Sequence, residues 1–347
     1  MLNSLSNKAM ITKSRAMYGK RLTNENYQDL VRMKSVREIA SYLKETPGYA
    51  DVLSNIYPES VHRGQLELLL HKSLFNKYIR LTHYDVSGKS NFLSFVVSRL
   101  EIEQILRCIM GINANNTENF IVDLPGYLIS HASFPMIKLA KIKTFEELLE
   151  VIDKTPYEKV IRQFTPKNGE LIDYTGCEVS LRTLYYTRMF SLIQRDFKGK
   201  HRDELEEILK IEVELINVST IFRLKSFFKM DGQEIRKYLF PFTYRLKKER
   251  LENLLQAESG EDIFRMINSS SYGNKIDNDE FSYIEDDIRR LNAYYNKQLL
   301  RFSSNAPAVV YCFMSLAQIE LINITNIIEG VRYNLSAEEI RKLLVLF

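Results

Sequence analysis

The residues most suggestive of chemistry are Gly88, Lys89 and Ser90 in "YDVSGKS". A Gly-Lys-Ser ending belongs to the loop that cradles nucleotide phosphates. In it a run of backbone N–H groups curls around the phosphates, the lysine reaches them and the hydroxyl ligates magnesium. That loop needs a first glycine five residues before the second, and His83 occupies the place. The stretch is half a motif, and an ATP-binding enzyme built on it is a weak reading. "IEDDIRR" offers Glu285, Asp286 and Asp287 to a cation, but the next turn brings Arg290, which repels one. A charged helix face fits better, with Asp286 pairing to Arg289 or Arg290 for a few tenths of a kcal/mol. Cys177 in "TGCE" has no base nearby and reads as a structural thiol. His62, His71, His83, His131 and His201 form no HExxH, and no GxSxG or GxGxxG turn occurs.

The elements that would position any site come in copies. "SVREIASYLKETPGY" from Ser35, "TFEELLEVIDKTPY" from Thr144 and "SGEDIFRMINSSSY" from Ser259 share one layout. Each opens on a hydroxyl followed three residues later by an acid (Glu38, Glu147, Asp262), which is the signature of a helix N-terminal capping box. Asp262 is the shortest of the three, so the third box is expected to be the weakest. Apolar pairs four apart follow, at Ile39/Leu43, Leu148/Ile152 and Ile263/Ile267, and lie on one helical face. Thr46, Thr155 or Ser270 then stops the helix, and a tyrosine follows at Tyr49, Tyr157 and Tyr272.

A second landmark recurs as "EIEQI" from Glu101, "EVELI" from Glu212 and "QIELI" from Gln318, at separations of 111 and 106 residues. Two landmarks with one period imply three copies of a unit of about 110 residues, with boundaries near 115 and 230. Within "YCFMSLAQIELINITNIIEGV", Glu320, Asn323 and Asn326 form a polar stripe on a helix that is otherwise apolar all round. Glu214 and Asn217 repeat the first two in copy two, and Leu106 takes the Asn place in copy one. Such groups either satisfy one another and loop backbone inside the core or line a shared surface. The end of the chain carries another capping box, Ser336 with Glu339. Gly88 and Gly199 each stand 13 residues before a landmark glutamate, and Asn305–Ala306 hold that place in copy three. "SGKS" therefore reads as the turn into a buried helix, with Ser87 or Ser90 as a cap. Strand signals are weak throughout.

Composition sets the class. The chain has 347 residues, 45% hydrophobic and 27% charged, with only 13 glycines and 8 prolines, which suits a mostly helical globular protein. A net charge of +4 is too small to argue for nucleic acid. Cys108, Cys177 and Cys312 are odd in number and far apart, suiting a reducing compartment. The first 20 residues lack the apolar core of a secretory signal, and no uninterrupted apolar run is long enough to span a bilayer. The chain is thus expected to work at most on a membrane surface.

These repeated helices resemble the C/d subunit of rotary V-type and A-type ATPases. The resemblance rests on "RAMYGKRL" from Arg15, the "SVREIASYLKETPGY" block, "EIEQILRCI", "EVELINVSTIFRLK" from Glu212 and "IELINITNIIEGVRYNLSAEEIRKLL", in family order along the whole chain. It implies an all-α fold of three similar helical domains (1–115, 116–230 and 231–347) around a pseudo-threefold axis, forming a funnel-like molecule. It also implies a non-catalytic rotor subunit without cofactor or metal, one copy per complex, peripheral at the cytoplasmic face. Its partners would be the central-stalk subunits and the proteolipid ring. Candidate interface residues, chosen by charge, are Arg15, Lys20, Arg21, Arg245, Lys247 and Lys248, together with the stripes Glu101/Glu103, Glu212/Glu214/Asn217 and Glu320/Asn323. A helical scaffold for another protein or RNA is the competing class. It is disfavoured because solenoid repeats are shorter and more numerous.

Overall fold

A computed structural model describes residues 2–84, 94–115, 126–167, 169–275 and 284–346, and all regular structure among them is helical. The Gly88–Ser90 half-motif lies outside the described residues. The first third contains α1 (Leu2–Tyr18), α2 (Asn24–Leu30), α3 (Val36–Glu45), α4 (Ala50–Leu53), α5 (Arg63–Thr82) and α6 (Phe95–Asn113). The second contains α7 (Gly126–His131), α8 (Phe145–Val151), α9 (Pro156–Ile161), α10 (Tyr174–Asp196) and α11 (Gly199–Ser226). The last contains α12 (Gly232–Arg236), α13 (Lys248–Gln256), α14 (Gly260–Asn268), α15 (Ile284–Phe302), α16 (Ala306–Arg332) and α17 (Ala337–Lys342).

The repeat pattern maps onto this order. Helices α5, α10 and α15 are the long outer helices and α6, α11 and α16 the long inner ones; α10 packs on α11 and α15 on α16, while α5 packs on α16 and α6 on α10, and the capping-box helices are α3, α8 and α14. Gly199 opens α11 at φ +53°, a left-handed conformation that glycine adopts without strain, and Asn305 stands as the N-cap of α16. Both turns fall where the repeat register puts them. Each long inner helix is also followed closely by a left-handed residue: Asn115, Lys229 and Asn334.

The capping boxes depart from expectation. Asp262 makes a complete box, accepting the Ser259 N–H at 3.2 Å while Ser259 Oγ accepts the Asp262 N–H. Glu147 does likewise with Thr144. In copy one the longer Glu38 carboxylate reaches past the cap to the Lys34 N–H, at 3.0 Å, and the box with Ser35 stays half-made. Acid length does not decide this, since Glu147 is as long as Glu38 and takes both the Thr144 N–H and the preceding Lys143 N–H.

Three apolar clusters fill the interior. The largest joins α6, α8–α11 and the N-terminal half of α16, with Phe95, Ile105, Leu148, Leu181, Leu209 and Val309 all deeply buried. A second joins residues 22–70 to the C-terminal half of α16, through Leu30, Ile39, Leu43, Ile324 and Ile328. A third packs α14 and its neighbours on α11 and α15. Helix α16 is long and apolar enough to cross a bilayer, yet most of it is buried inside this protein, as a core helix is.

Candidate functional site

Three buried glutamates organise the molecule, one on each long inner helix. Glu101 of α6 accepts the Tyr157 hydroxyl at 2.6 Å, Glu214 of α11 accepts the Tyr272 hydroxyl at 2.6 Å, and Glu320 of α16 accepts the Tyr49 hydroxyl at 2.6 Å. These are the tyrosines that close the three repeated blocks. Each carboxylate also takes backbone N–H groups from the loop ahead of that block: Ser133 for Glu101, Leu22 for Glu320, and Tyr244, Arg245 and Leu246 for Glu214. A tyrosine latch therefore fixes each block to a long helix. Burial, reinforced by the facing carboxylate, pushes all three phenols far above their ordinary range, so they stay protonated donors at neutral pH.

The latches are cyclic. The block of copy two closes on the long helix of copy one, that of copy three on copy two, and that of copy one on α16 at the far end of the chain. A polar residue three places past each glutamate shares its buried face: Gln104, Asn217 and Asn323. Asn217 clamps the Phe240 backbone reciprocally at 2.9 Å, and Asn323 does the same to Val345. The sequence register thus needs a correction in copy one. Glu101, not Glu103, matches Glu214 and Glu320, and Gln104, not Leu106, takes the Asn place, because a latch must face its block and Glu103 faces elsewhere.

Glu212, two residues before Glu214, points the other way and anchors a waist where the three inner helices meet. Its carboxylate accepts Arg99 Nη2 at 2.6 Å and the Tyr186 and Tyr311 hydroxyls at 2.8 and 2.5 Å. Arg99 Nη2 also donates to the Tyr311 hydroxyl and Nε to Tyr185 at 2.9 Å, so α6, α10, α11 and α16 share one network. Burial opposes the charge on Arg99, but Glu212 and the tyrosines outweigh it and hold the guanidinium well above its usual pKa. Burial pushes Tyr185 up to about 12, with Arg99 acting against it. A buried ion pair is stabilising only when its remaining donors and acceptors are met, and here the tyrosines meet them.

Beside the waist lies a cavity of about 290 Å³, walled by all three inner helices through Ile102 and Glu103 of α6, Ile216 of α11, and Met314, Gln318 and Ile322 of α16. Arg99 and Arg182 face it, together with His71 of α5. Burial raises the Glu103 carboxyl while Arg107, Arg182 and Arg99 pull it down. Among the described residues no group of three or more His, Cys, Asp or Glu side chains gathers as metal ligands.

A family model described as ATP synthase (C/AC39) subunit matches residues 10–343. The chain belongs to that family. Its relatives include the C subunit of the A-type ATP synthase of Methanosarcina mazei, 25% identical over 97% of this chain and 92% of the relative. The corresponding protein of Pyrococcus horikoshii is 22% identical over 95% and 88%, and that of Thermococcus kodakarensis 26% over 76% and 67%.

In this C/AC39 family member the charge-selected candidates separate into inner and outer groups. Glu101, Glu212, Glu214, Asn217, Glu320 and Asn323 are all buried and occupied by internal partners. They hold backbone and tyrosines inside the core and line no outer surface. Arg15 is committed too, donating to the Leu300 and Ser303 carbonyls at 2.9 and 2.8 Å and so capping α15. Arg245 bridges Glu207 and the Tyr295 hydroxyl, and Arg21 lies 4.2 Å over the Tyr18 ring. Lys20, Lys247 and Lys248 remain exposed. The decoys resolve as charged faces and core: Asp286 pairs with Arg289 at 2.5 Å, Arg290 pairs instead with Asp287, and Cys177 is fully buried. Sequence reasoning missed Arg99. Its only signal was a cation interrupting the apolar run "FVVSRLEI" at the start of a buried helix.

Proposed function

We propose that this chain is the non-catalytic rotor-coupling subunit of an A/V-type ATPase. It joins the central stalk to the membrane proteolipid ring and carries torque between ATP chemistry and H⁺ or Na⁺ translocation. Family membership supports the choice of machine, and the cyclic set of latches is the observation that carries the mechanical role. A part that transmits torque must resist shear between its segments. Here each segment of about 110 residues, divided near 115 and 230, is held by a charged hydrogen bond to a neighbouring segment, and a common waist ties the three inner helices together. Dense helix packing adds stiffness.

In this reading the three segments form a funnel-like body around a pseudo-threefold axis, with the cavity beside the waist opening toward the stalk and the opposite end toward the ring. The subunit sits peripherally at the cytoplasmic face, one copy per complex, with no ATP, metal or nucleic acid of its own. Affinity purification of a tagged chain from membranes tests it. The chain is expected with stalk subunits and the proteolipid ring, and its recovery with the ring should change when the stalk is deleted. A chain that runs free of any membrane complex overturns the reading.

A further inference from the structure

The long helices form a circuit with one break. Helix α6 packs on α10, α10 on α11, α11 on α15, α15 on α16 and α16 on α5, but α5 and α6 do not pack closely on one another. The pairing of outer with inner helix inside one copy is therefore made in copies two and three and omitted in copy one. The cavity of about 290 Å³ belongs to that omission, because Leu74 of α5 and Leu100 of α6 both wall it. Its size lies near the lower end for small-molecule sites, and an apolar wall with a few polar groups is their usual lining.

Those polar groups are mainly donors in want of acceptors. Arg99 engages Tyr185 through Nε, and Glu212 and Tyr311 through Nη2, which leaves Nη1 without an acceptor among the described residues. His71 and Gln318 also make no hydrogen bond among those residues. Burial and the nearby Arg107 lower the His71 pKa, so at neutral pH its ring is uncharged and still offers one N–H. Of the acids that line the cavity, Glu212 is held in the waist and only Glu103 is open. Burial raises the Glu103 pKa, while Arg107, Arg182 and Arg99 pull it down. An entering cation would compete with those guanidinium groups for one carboxylate, whereas an anionic acceptor meets open N–H groups directly.

We propose that this cavity binds a single-chain amphiphile with an anionic head, the head among the open donors and the chain among Leu74, Leu100, Ile102, Ile216, Met314 and Ile322. Such an occupant fills the gap between α5 and α6 and completes the circuit of long helices. The proposal stands independently of the rotor-coupling reading.

The full-length chain is titrated with decanoate below its micelle concentration, with decanol and decyltrimethylammonium as probes of the same tail. Decanoate is expected to bind and to raise the thermal midpoint. Decanol should bind about tenfold more weakly for want of a charged hydrogen bond, and decyltrimethylammonium more weakly still. Glu103→Gln removes the repelling carboxylate and should tighten decanoate binding roughly several-fold, and Arg182→Gln should loosen it by a similar factor. Leu100→Trp and Ile322→Trp fill the cavity from two different helices, and each should weaken binding by at least about tenfold. Phe228→Ser removes an exposed apolar side chain outside the cavity and should change nothing. Melting of each variant without ligand checks its fold. Where one filling variant does not fold the other decides, and Glu103→Gln leaves the packing intact in either case. Absence of decanoate binding in the wild type, unchanged binding in a folded filling variant, or loosened binding in Glu103→Gln overturns the proposal. So does a decyltrimethylammonium affinity equal to that of decanoate, or an equal loss in Phe228→Ser, which would mark adhesion to exposed side chains.

Discussion

The Glu214 and Glu320 latches use the same parts under different loads. Glu214 closes on a tyrosine 58 residues away and takes three backbone N–H groups, with Arg245 lying 5.8 Å over the Tyr272 ring. Glu320 closes on a tyrosine 271 residues away and takes one backbone N–H, with Lys77 Nζ 4.0 Å from the carboxylate and 4.6 Å over the Tyr49 ring. Closing the longer loop costs about 1.4 kcal/mol more in chain entropy. The seam between the two ends of the chain therefore has fewer bonds and more entropy against it. Chain order, rather than local chemistry, decides where a closed helical body is weakest.

The strongest way to break the comparison is to empty each latch. Glu214→Ala strands three N–H groups and a phenol in the core and should cost about 3–5 kcal/mol in urea unfolding. Glu320→Ala should cost about 2–3 kcal/mol, since it strands fewer donors. Equal costs, or the reverse order, would sink the claim that the inner latch is the firmer. Removing only the hydroxyl is milder: Tyr272→Phe and Tyr49→Phe should each cost about 1.5–3 kcal/mol, the worth of a hydrogen bond to a charge. Hydrogen exchange sharpens the point without substitution. The Leu22 and Val345 amides at the seam should exchange roughly ten times faster than those of Tyr244 and Leu246, reflecting the loop-entropy difference. Matching protection at both places would show that the seam carries no penalty.

The smallest effect lies in pH. Burial lowers the Lys77 pKa below its ordinary value of 10.5 and outweighs the pull of Glu320. The folded state therefore binds fewer protons than the unfolded one between that lowered value and 10.5, and this lysine's contribution to stability rises with pH across the window. Tyrosine titration pulls the other way above about pH 10, so the readout is the difference between wild type and Lys77→Met, whose tyrosines are the same. That difference should grow in favour of wild type as pH rises toward 10.5 and then level off. A flat or falling difference would show that Lys77 is not strained at the seam. Arg245 gives the inner latch no such dependence, because an arginine does not titrate there.

Much of this architecture was written locally. The capping boxes, the stop residues, the closing tyrosines and the buried polar stripe all obey short-range rules, and the structure uses each of them. Partnership was not legible. "EIEQI" carries two glutamates two residues apart, and only the position of the Tyr157 block shows that Glu101 is the latch. Glu212 and Glu214 sit in one five-residue stretch, yet one serves the waist and the other a latch, because residues two apart on a helix point nearly opposite ways. Arg99 stands two residues before its latch, at the place Glu212 and Gln318 hold in the other copies, but no residue type recurs there, so a search for periodicity passes over it. Its role exists only where four helices converge.

The seam also bears on how the protein is made. Residues 22–70 gather Leu30, Ile39 and Leu43 into one cluster with Ile324, Ile327 and Ile328 of α16, which is translated long after them. At roughly 5–20 residues per second, the 271 residues between Tyr49 and its glutamate take on the order of 14–54 s to emerge. Throughout that interval the first segment leaves the ribosome with its partner helix unmade and its apolar face uncovered. The feature that closes the finished body is thus its longest exposure during synthesis, the period in which a chaperone's protection of the N-terminal segment matters most.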